Sequence, residues 1–395
     1  MVAAPCARAG KGAPVRALIA GGGPAGDAVA DGLRDAAFDG EIALVSAESE
    51  PPYERPHLSK GYLLGTVSRE KLRLRPAAQY RELGVELRLG EQVVDLGVER
   101  HAAELASGET ISWDVLCIAT GSTARRLPGF EDALYLRELP DADALRGELE
   151  RGEPLDVIGA GFIGCEVAAA ARLRGCAVRV YEALSQPLLR VLGPELGAYL
   201  ADVHRAHGVE MHLGVDELPE LGTGVVVGVG SAPRTELAER ARLVVDRGIV
   251  VDELGRTEAQ DVFAAGVARF WSPLYETRIR VEHFQTAQRQ GFAVGRAMAG
   301  ATDPYTEVPW FWSDQYDLNL QYAGAGLAWD EIVIRGAMAH PPIAVFYLRD
   351  GRLVAAAGVN DHHTVARARH VMQGRARVTR DQLADPLFDL RRALA

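Results

Sequence analysis

Beyond its first residues the chain runs through an apolar stretch, Ala17–Ala20, into Gly21-Gly22-Gly23-Pro24-Ala25-Gly26 and then an alanine-rich segment. A short apolar run bounded by glycine reads as a buried strand, and the alanine-rich segment as a helix. A second apolar run, Ile42–Val45, stops near Glu48. The same order returns at Leu155–Ile158, followed by Gly159-Ala160-Gly161-Phe162-Ile163-Gly164, a helical stretch to about Arg174, and Ala177–Tyr181 ending at Glu182. Strand, glycine turn, helix and strand, written twice, predict an α/β protein with two Rossmann-like parallel-sheet units. The pattern stops after about Asp303; beyond it, Phe346–Leu348 and Leu353–Ala357 read as strands of a mixed α+β module.

The glycine spacing carries chemistry as well as fold. In the first copy Gly21 permits the tight turn, Gly23 lets backbone approach a pyrophosphate, and Gly26 lets helix and strand pack closely. Gly159, Gly161 and Gly164 repeat the spacing, and each helix start offers N–H groups to a phosphate. An acid some 20 positions further on accepts hydrogen bonds from a ribose; Glu48 and Glu182 stand there. A carboxylate at Glu182 pairs with a ribose 2′-OH and repels a 2′-phosphate, so NADH is expected over NADPH.

The two copies differ in length. Gly84–Gly90 precedes Ala119-Thr120-Gly121, and Gly208–Gly214 precedes Gly228-Val229-Gly230. The segments between, 91–118 and 215–227, hold 28 and 13 residues, so the second copy is shorter by 28 − 13 = 15. That is a hairpin's worth of chain, and the second unit is expected to be trimmed at its flank.

Composition narrows the field. A net charge of −11 argues against generic nucleic-acid binding. No stretch approaches the ~20 apolar residues of a membrane span, and Met1 to Arg16 reads as a short disordered tail with no secretory signal. Cys6, Cys117, Cys165 and Cys176 are scattered without metal-ligand spacing, which fits a reducing cytoplasm. His204 and His207, on a polar helical stretch, and His362-His363 read as solvated, so no metal is expected.

Between the two units lies Pro52-Tyr53-Glu54-Arg55-Pro56-His57-Leu58-Ser59-Lys60. It resembles the P-Y-x-R-P-x-L-S-K segment of the ferredoxin reductases of oxygenase and P450 systems, relatives of the glutathione-reductase fold. Further matches follow in order: Ala119-Thr120-Gly121, the Gly159 turn through Glu166, and Asp261 to Gly266. Then come Glu282-His283-Phe284, Gln290-Gly291 and Pro309 to Gln315. The resemblance implies an FAD-binding domain at 15–134 and 255–304, an NAD-binding domain at 135–254, and a C-terminal interface domain at 305–395. It implies electron flow from NADH through FAD to an iron–sulfur ferredoxin. Arg55 would support the FAD phosphates, and Lys60 would sit beside the isoalloxazine, paired with Glu166. Thr120, Gly121, Gly266, Val267, Glu282, His283 and Phe284 fall at cofactor positions; Phe162 and Ile163 belong to the second turn, and Trp312 lies near the flavin. The rival readings are a flavin NADH oxidase or quinone reductase, and a degenerate member with a binding role. Nothing in these features specifies an oligomeric state.

One departure from the family pattern touches the cofactor. The family reads A-A-G-D-V-A, its aspartate holding a ribitol hydroxyl, whereas this chain reads Ala264-Ala265-Gly266-Val267-Ala268. Loss of such a hydrogen bond costs roughly 1.5–3 kcal/mol. Residues 305–395 hold ten arginines and ten acids, leaving the whole −11 to the rest of the chain. Arg367, Arg369, Arg375 and Arg377 cluster beside His370, a patch suited to an acidic ferredoxin.

Overall fold

The computed structural model describes residues 15–394, so the expected tail, apart from Val15 and Arg16, and Cys6 lie outside the described residues. The chain folds as two compact units that interleave along the sequence. The first takes the described residues up to Glu54, then Leu72–Thr123 and Pro233–Glu307; the second takes Arg55–Lys71, Ala124–Ala232 and the chain from Val308.

In the first unit a five-stranded parallel sheet runs in the order Val262–Ala264, Val115–Ile118, Arg16–Ala20, Glu41–Ser46, Val85–Leu89. Its central strand is sealed on both faces, with Ala17, Leu18 and Ile19 fully buried, as expected of a parallel sheet covered by helices. The helix Pro24–Asp35 starts at the Gly21 turn and lies against the helix Phe284–Met298. Their backbones meet through glycines: a Cβ on Gly291 would come 2.4 Å from the Ala25 carbonyl oxygen, and one on Gly295 would come 2.2 Å from that of Val29. Across the 91–118 interval lies a three-stranded antiparallel meander, Val93–Gly97, Ala102–Leu105 and Thr110–Ser112.

In the second unit four parallel strands run in the order Val209–Leu213, Val178–Glu182, Leu155–Ile158, Gly224–Val227. The 215–227 interval holds no meander at all, only the strand Gly224–Val227. The short connection is pinned from beneath. Buried Asp156 accepts the Gly222 N–H at 2.7 Å and a bidentate pair from Arg179 at 2.7 and 2.8 Å. The C-terminal module is a five-stranded antiparallel sheet, ordered Trp310–Gln315, Leu318–Gly324, Arg352–Val359, His340–Arg349, Glu331–Ala337. One face packs Phe346, Leu348 and Ala356 against Ala368 and Val371 of the helix His362–Gln373. The other packs Tyr322, Tyr347 and Ala357 against Leu192, Leu196 and Leu200 of the helix Leu189–Ala206.

Three boundaries differ from the sequence expectation. The N-terminal part of the first unit ends at Thr123, short of 134. The chain rejoins the first unit at Pro233, earlier than 255, because Arg234 bonds Thr120 and Gly121, and Ile249 and Val250 then bind the strand Arg269–Ser272. Residues 55–71 belong to the second unit, because side chain and backbone tie them to it: Tyr62 donates to Asp143, and the Leu63 carbonyl accepts from Arg174.

The glycine crossing makes a testable claim. We predict that Gly295→Ala, which drives a methyl into the Val29 carbonyl, lowers unfolding free energy by about 1–3 kcal/mol. Gly147→Ala, on the helix Leu139–Arg151 where an added Cβ meets nothing within 4 Å, should raise it by about 0.4–1 kcal/mol. Urea unfolding of the two variants beside the parent decides it; a Gly295→Ala protein as stable as the parent would show that the helices part without loss.

Candidate active site

Each glycine turn leaves open space where a phosphate would lie. An added Cβ at Gly23 meets no atom within 4 Å, and one at Gly161 meets only the Gly228 oxygen at 3.6 Å. By contrast, Gly26 and Gly164 are filled by the turn itself, with Cβ positions 1.9 and 2.0 Å from the Gly21 and Gly159 oxygens. The spacing therefore separates a glycine that admits a ligand from one that admits a strand. Gly23 and Gly161 are also the helix N-caps, and neither helix has a side chain capping it. Their first N–H groups thus remain suited to an anion.

The acid after each second strand is held in place. Tyr53 donates to Glu48 Oε2 at 2.5 Å. Glu182 accepts the Ala160 N–H at 2.7 Å and the Leu184 N–H at 2.9 Å, so its carboxylate lies against the Gly159 turn. An unanticipated acid, Asp27, stands in the first turn after Gly23; it is neutralised by a bidentate contact from Arg75 at 2.8 and 2.9 Å and by Tyr80 at 2.6 Å.

Other candidates of the first unit also bond within the chain. Thr120 Oγ1 donates to the Arg234 carbonyl at 2.7 Å, and the Gly121 carbonyl accepts the Arg234 N–H at 2.9 Å. Gly266, at φ 87°, donates its N–H to buried Gln290 Oε1 at 2.9 Å, and Val267 beside it is buried. Where the family pattern has its aspartate, the chain turns directly into the strand Arg269–Ser272. Glu282 pairs with Arg280, and His283 is the N-cap residue of the helix that begins at Phe284.

The densest chemistry is in the second unit, around Glu166. This carboxylate is almost wholly buried, four residues beyond Phe162 on the helix Phe162–Leu173. Lys60 Nζ lies 2.7 Å from its Oε2 and also donates to the Pro56 carbonyl at 3.2 Å. Ser59 donates to the same Oε2, and Ser313 donates to Oε1 at 2.6 Å. Removing two charges from water costs several kcal/mol each, and such a pair persists where further hydrogen bonds satisfy it. Arg55, five residues before Lys60, donates to the Arg137 carbonyl at 2.9 Å.

Ser313 reaches Glu166 because side chains alternate along the strand Trp310–Gln315. Phe311 and Ser313 face Phe162 and Glu166, the two phenyl rings meeting edge-on at 4.6 Å. Trp310 and Trp312 take the other face, 5.9 Å apart, with Arg369 over Trp310 at 5.8 Å. Ile163 is exposed. Ser59 and Ser313 lie within the motifs, and their only signal in the sequence is adjacency to Lys60 and the alternation around Trp312.

The histidine reading needs correction. His204 is fully buried, not solvated, with Nε2 3.0 Å from Gln315 Oε1 and Nδ1 3.0 Å from the Tyr316 hydroxyl. Burial lowers it to about 4, so the ring is neutral near pH 7. The hydrophobic face of its helix is covered by the C-terminal sheet, a partner invisible in the local pattern. His207 is exposed and stacks on Tyr316 at 3.6 Å. Among the described residues no group of three or more His, Cys, Asp or Glu could hold a metal, and no helix is long and apolar enough to cross a membrane. Burial pushes the Cys117 and Cys165 thiols well up.

A profile of the pyridine nucleotide-disulphide oxidoreductases matches residues 15–217 and 220–291, and one of the reductase C-terminal domain matches 310–394. The chain belongs to the pyridine nucleotide-disulphide oxidoreductases. Members of this family use FAD and NAD(H), and the open cradles at Gly23 and Gly161 fit two such dinucleotides. Among curated relatives, the ferredoxin–NAD(+) reductase component of the anthranilate 1,2-dioxygenase system of Burkholderia cepacia is 40% identical, over 95% of this chain and 98% of its own. The reductase in a covalent putidaredoxin reductase–putidaredoxin complex superposes with a TM-score of 0.92 at 33% identity, over 97% of this chain and 99% of that one. A ferredoxin reductase for the CYP199A2 system of Rhodopseudomonas palustris gives 0.91 at 36%, over 96% and 100%.

Lys60 and Glu166 should stabilise the fold as a unit. We predict that Lys60→Met, which leaves Glu166 buried without its cation, costs about 3–5 kcal/mol, and that adding Glu166→Leu recovers a large part of it. A double-mutant cycle by urea unfolding measures the coupling; strictly additive losses would show that the two side chains do not support each other.

Proposed function

We propose that this protein is a cytoplasmic NADH:ferredoxin reductase that delivers electrons to a ferredoxin serving a P450 or a ring-hydroxylating oxygenase. The observation that carries this reading is the buried Lys60–Glu166 pair, joined to family membership across nearly the whole chain. Free, buried Cys117, Cys165 and Cys176 suit a reducing compartment.

In this reading the unit built on Gly21 holds FAD and the one built on Gly159 holds NADH, with 305–395 facing the acceptor. Gly21, Gly23 and Gly26, with the N–H groups of the helix Pro24–Asp35, bind the FAD pyrophosphate, and Glu48 accepts from the adenosine ribose. Arg55, Thr120, Gly121, Gly266, Val267, Glu282, His283 and Phe284 complete that contact. Gly161, Phe162, Ile163 and Gly164 shape the nucleotide turn of the second unit, and Glu182 selects the unphosphorylated ribose. FAD, when bound, converts a two-electron hydride donor into one-electron delivery. Lys60 supplies a fixed cation for the flavin ring, Glu166 holds it in place, and Trp312 stands on the outgoing side.

Two measurements test the reading. NADH should reduce the flavin at least about tenfold faster than NADPH in stopped flow, and Glu182→Ala should narrow the gap. Equal rates with the two nucleotides would remove Glu182 from the ribose. For the acceptor, Arg367 and Arg369 lie on the helix His362–Gln373, with exposed Arg375 and Arg377 just beyond it. Reversing Arg375 and Arg377 to glutamate should slow ferredoxin reduction and blunt its fall with added salt, while quinone turnover and flavin reduction hold. Quinone turnover without any transfer to an iron–sulfur protein would instead favour a quinone reductase.

A further inference from the structure

The bonds around Glu166 continue past Ser313. Ser313 Oγ accepts from Gln315 Nε2 at 3.1 Å, Gln315 Oε1 lies 3.0 Å from His204 Nε2, and His204 Nδ1 lies 3.0 Å from the Tyr316 hydroxyl. Glu166, Ser313, Gln315 and His204 are all buried. The direction of each bond is forced by its neighbour. Glu166, ion-paired with Lys60, can only accept, so Ser313 must donate to it. The Ser313 oxygen then accepts a hydrogen bond from the Gln315 amide nitrogen, which turns the Gln315 carbonyl oxygen toward His204. That oxygen accepts only from an Nε2–H, so His204 carries its proton on Nε2 and receives the Tyr316 O–H at Nδ1. Burial favours this arrangement at both ends of the last link, keeping the imidazole neutral and pushing the Tyr316 phenol up.

We propose that His204 is a positioning residue for the Lys60–Glu166 pair, acting through Gln315 and Ser313. Were the His204 proton on Nδ1 instead, Gln315 would turn its amide nitrogen to the ring and its oxygen to Ser313. Ser313 would then donate to Gln315 and present a lone pair to Glu166, a repulsive contact in a buried site. The imidazole tautomer therefore decides whether Glu166 is held from one side or from two, and so how firmly it holds Lys60. The effect on flavin chemistry rests on the function proposed above; the effect on Lys60 does not.

Two small substitutions separate positioning from packing. Glutamine at 204 keeps an N–H near Nε2, whereas asparagine keeps a polar group only near Nδ1. Lys11, Lys60 and Lys71 are the only lysines of the chain, and Lys71 is exposed, so acetylation of Lys60 against Lys71 can be read directly by mass spectrometry. His204→Asn and Ser313→Ala should each raise the Lys60 to Lys71 ratio by at least about threefold. Each should also slow NADH reduction of the flavin by a similar factor with KM for NADH unchanged, and the double variant should be no worse than Ser313→Ala alone. His204→Gln and Ser313→Thr should restore both readouts. Gln315→Met breaks the same path and should behave as His204→Asn, which covers the case of an asparagine variant that does not fold. Equal damage from His204→Gln and His204→Asn would reduce His204 to core filling. An unchanged Lys60 ratio in His204→Asn and Gln315→Met would overturn the proposal. Altered labelling in a protein that takes no electrons from NADH would uphold the positioning role and refute the reductase reading alone.

Discussion

A buried carboxylate in need of partners organises the second unit. Glu166 takes one cation and two hydroxyl donors from two distant stretches of chain, Ser59 and Lys60 before its own sheet and Ser313 after it. An ionised acid removed from water is tolerable only if such partners arrive together, so the site is an all-or-none constraint on how these segments meet. It explains why residues 55–71 fold with the second unit although they follow the first. It also explains why the edge strand Trp310–Gln315 follows Phe311 with serine and glutamine on the face toward the helix.

Where local backbone geometry sets the residue, the sequence was readable. Gly21 and Gly26 leave no room for a Cβ, so their spacing survives as a visible pattern, and the second copy at Gly159 and Gly164 repeats the same sterics. The difference in length between the two copies is legible in the same way, since the number of residues between Gly214 and Gly228 caps what can fold there. What escaped was non-local. His204 lies on a helix whose sequence mixes polar and apolar positions, and only the sheet of the C-terminal module reveals that its face is covered. The return to the first unit at Pro233 is equally hidden, since it depends on bonds from Arg234 to the distant Thr120 and Gly121.

The site divides along the same line. Lys60 and Glu166 could be named from the resemblance, but the serines that make the pair tolerable could not, because a hydroxyl next to a lysine carries no signal of its own. Asp27 is the converse case. An acid in the first turn after Gly23 would repel a phosphate brought to that turn, until Arg75 and Tyr80 are seen to neutralise it.

The trimmed unit shows how a loss can be absorbed. Removing a meander shortens the crossover between the strands Val209–Leu213 and Gly224–Val227, yet the last strand keeps its place beside Leu155–Ile158. A free connection of that length would leave the strand's register weakly specified at a sheet edge. Asp156 supplies the missing constraint, because its buried carboxylate holds the Gly222 N–H just before the strand begins, and Arg179 on the neighbouring strand meets its charge. The anchor grips the connection from below the sheet, at the ends opposite the Gly159 turn. The ends of these strands that carry Gly161 and Glu182 are therefore left as they are, and the shortening falls on the flank away from the Gly159 turn.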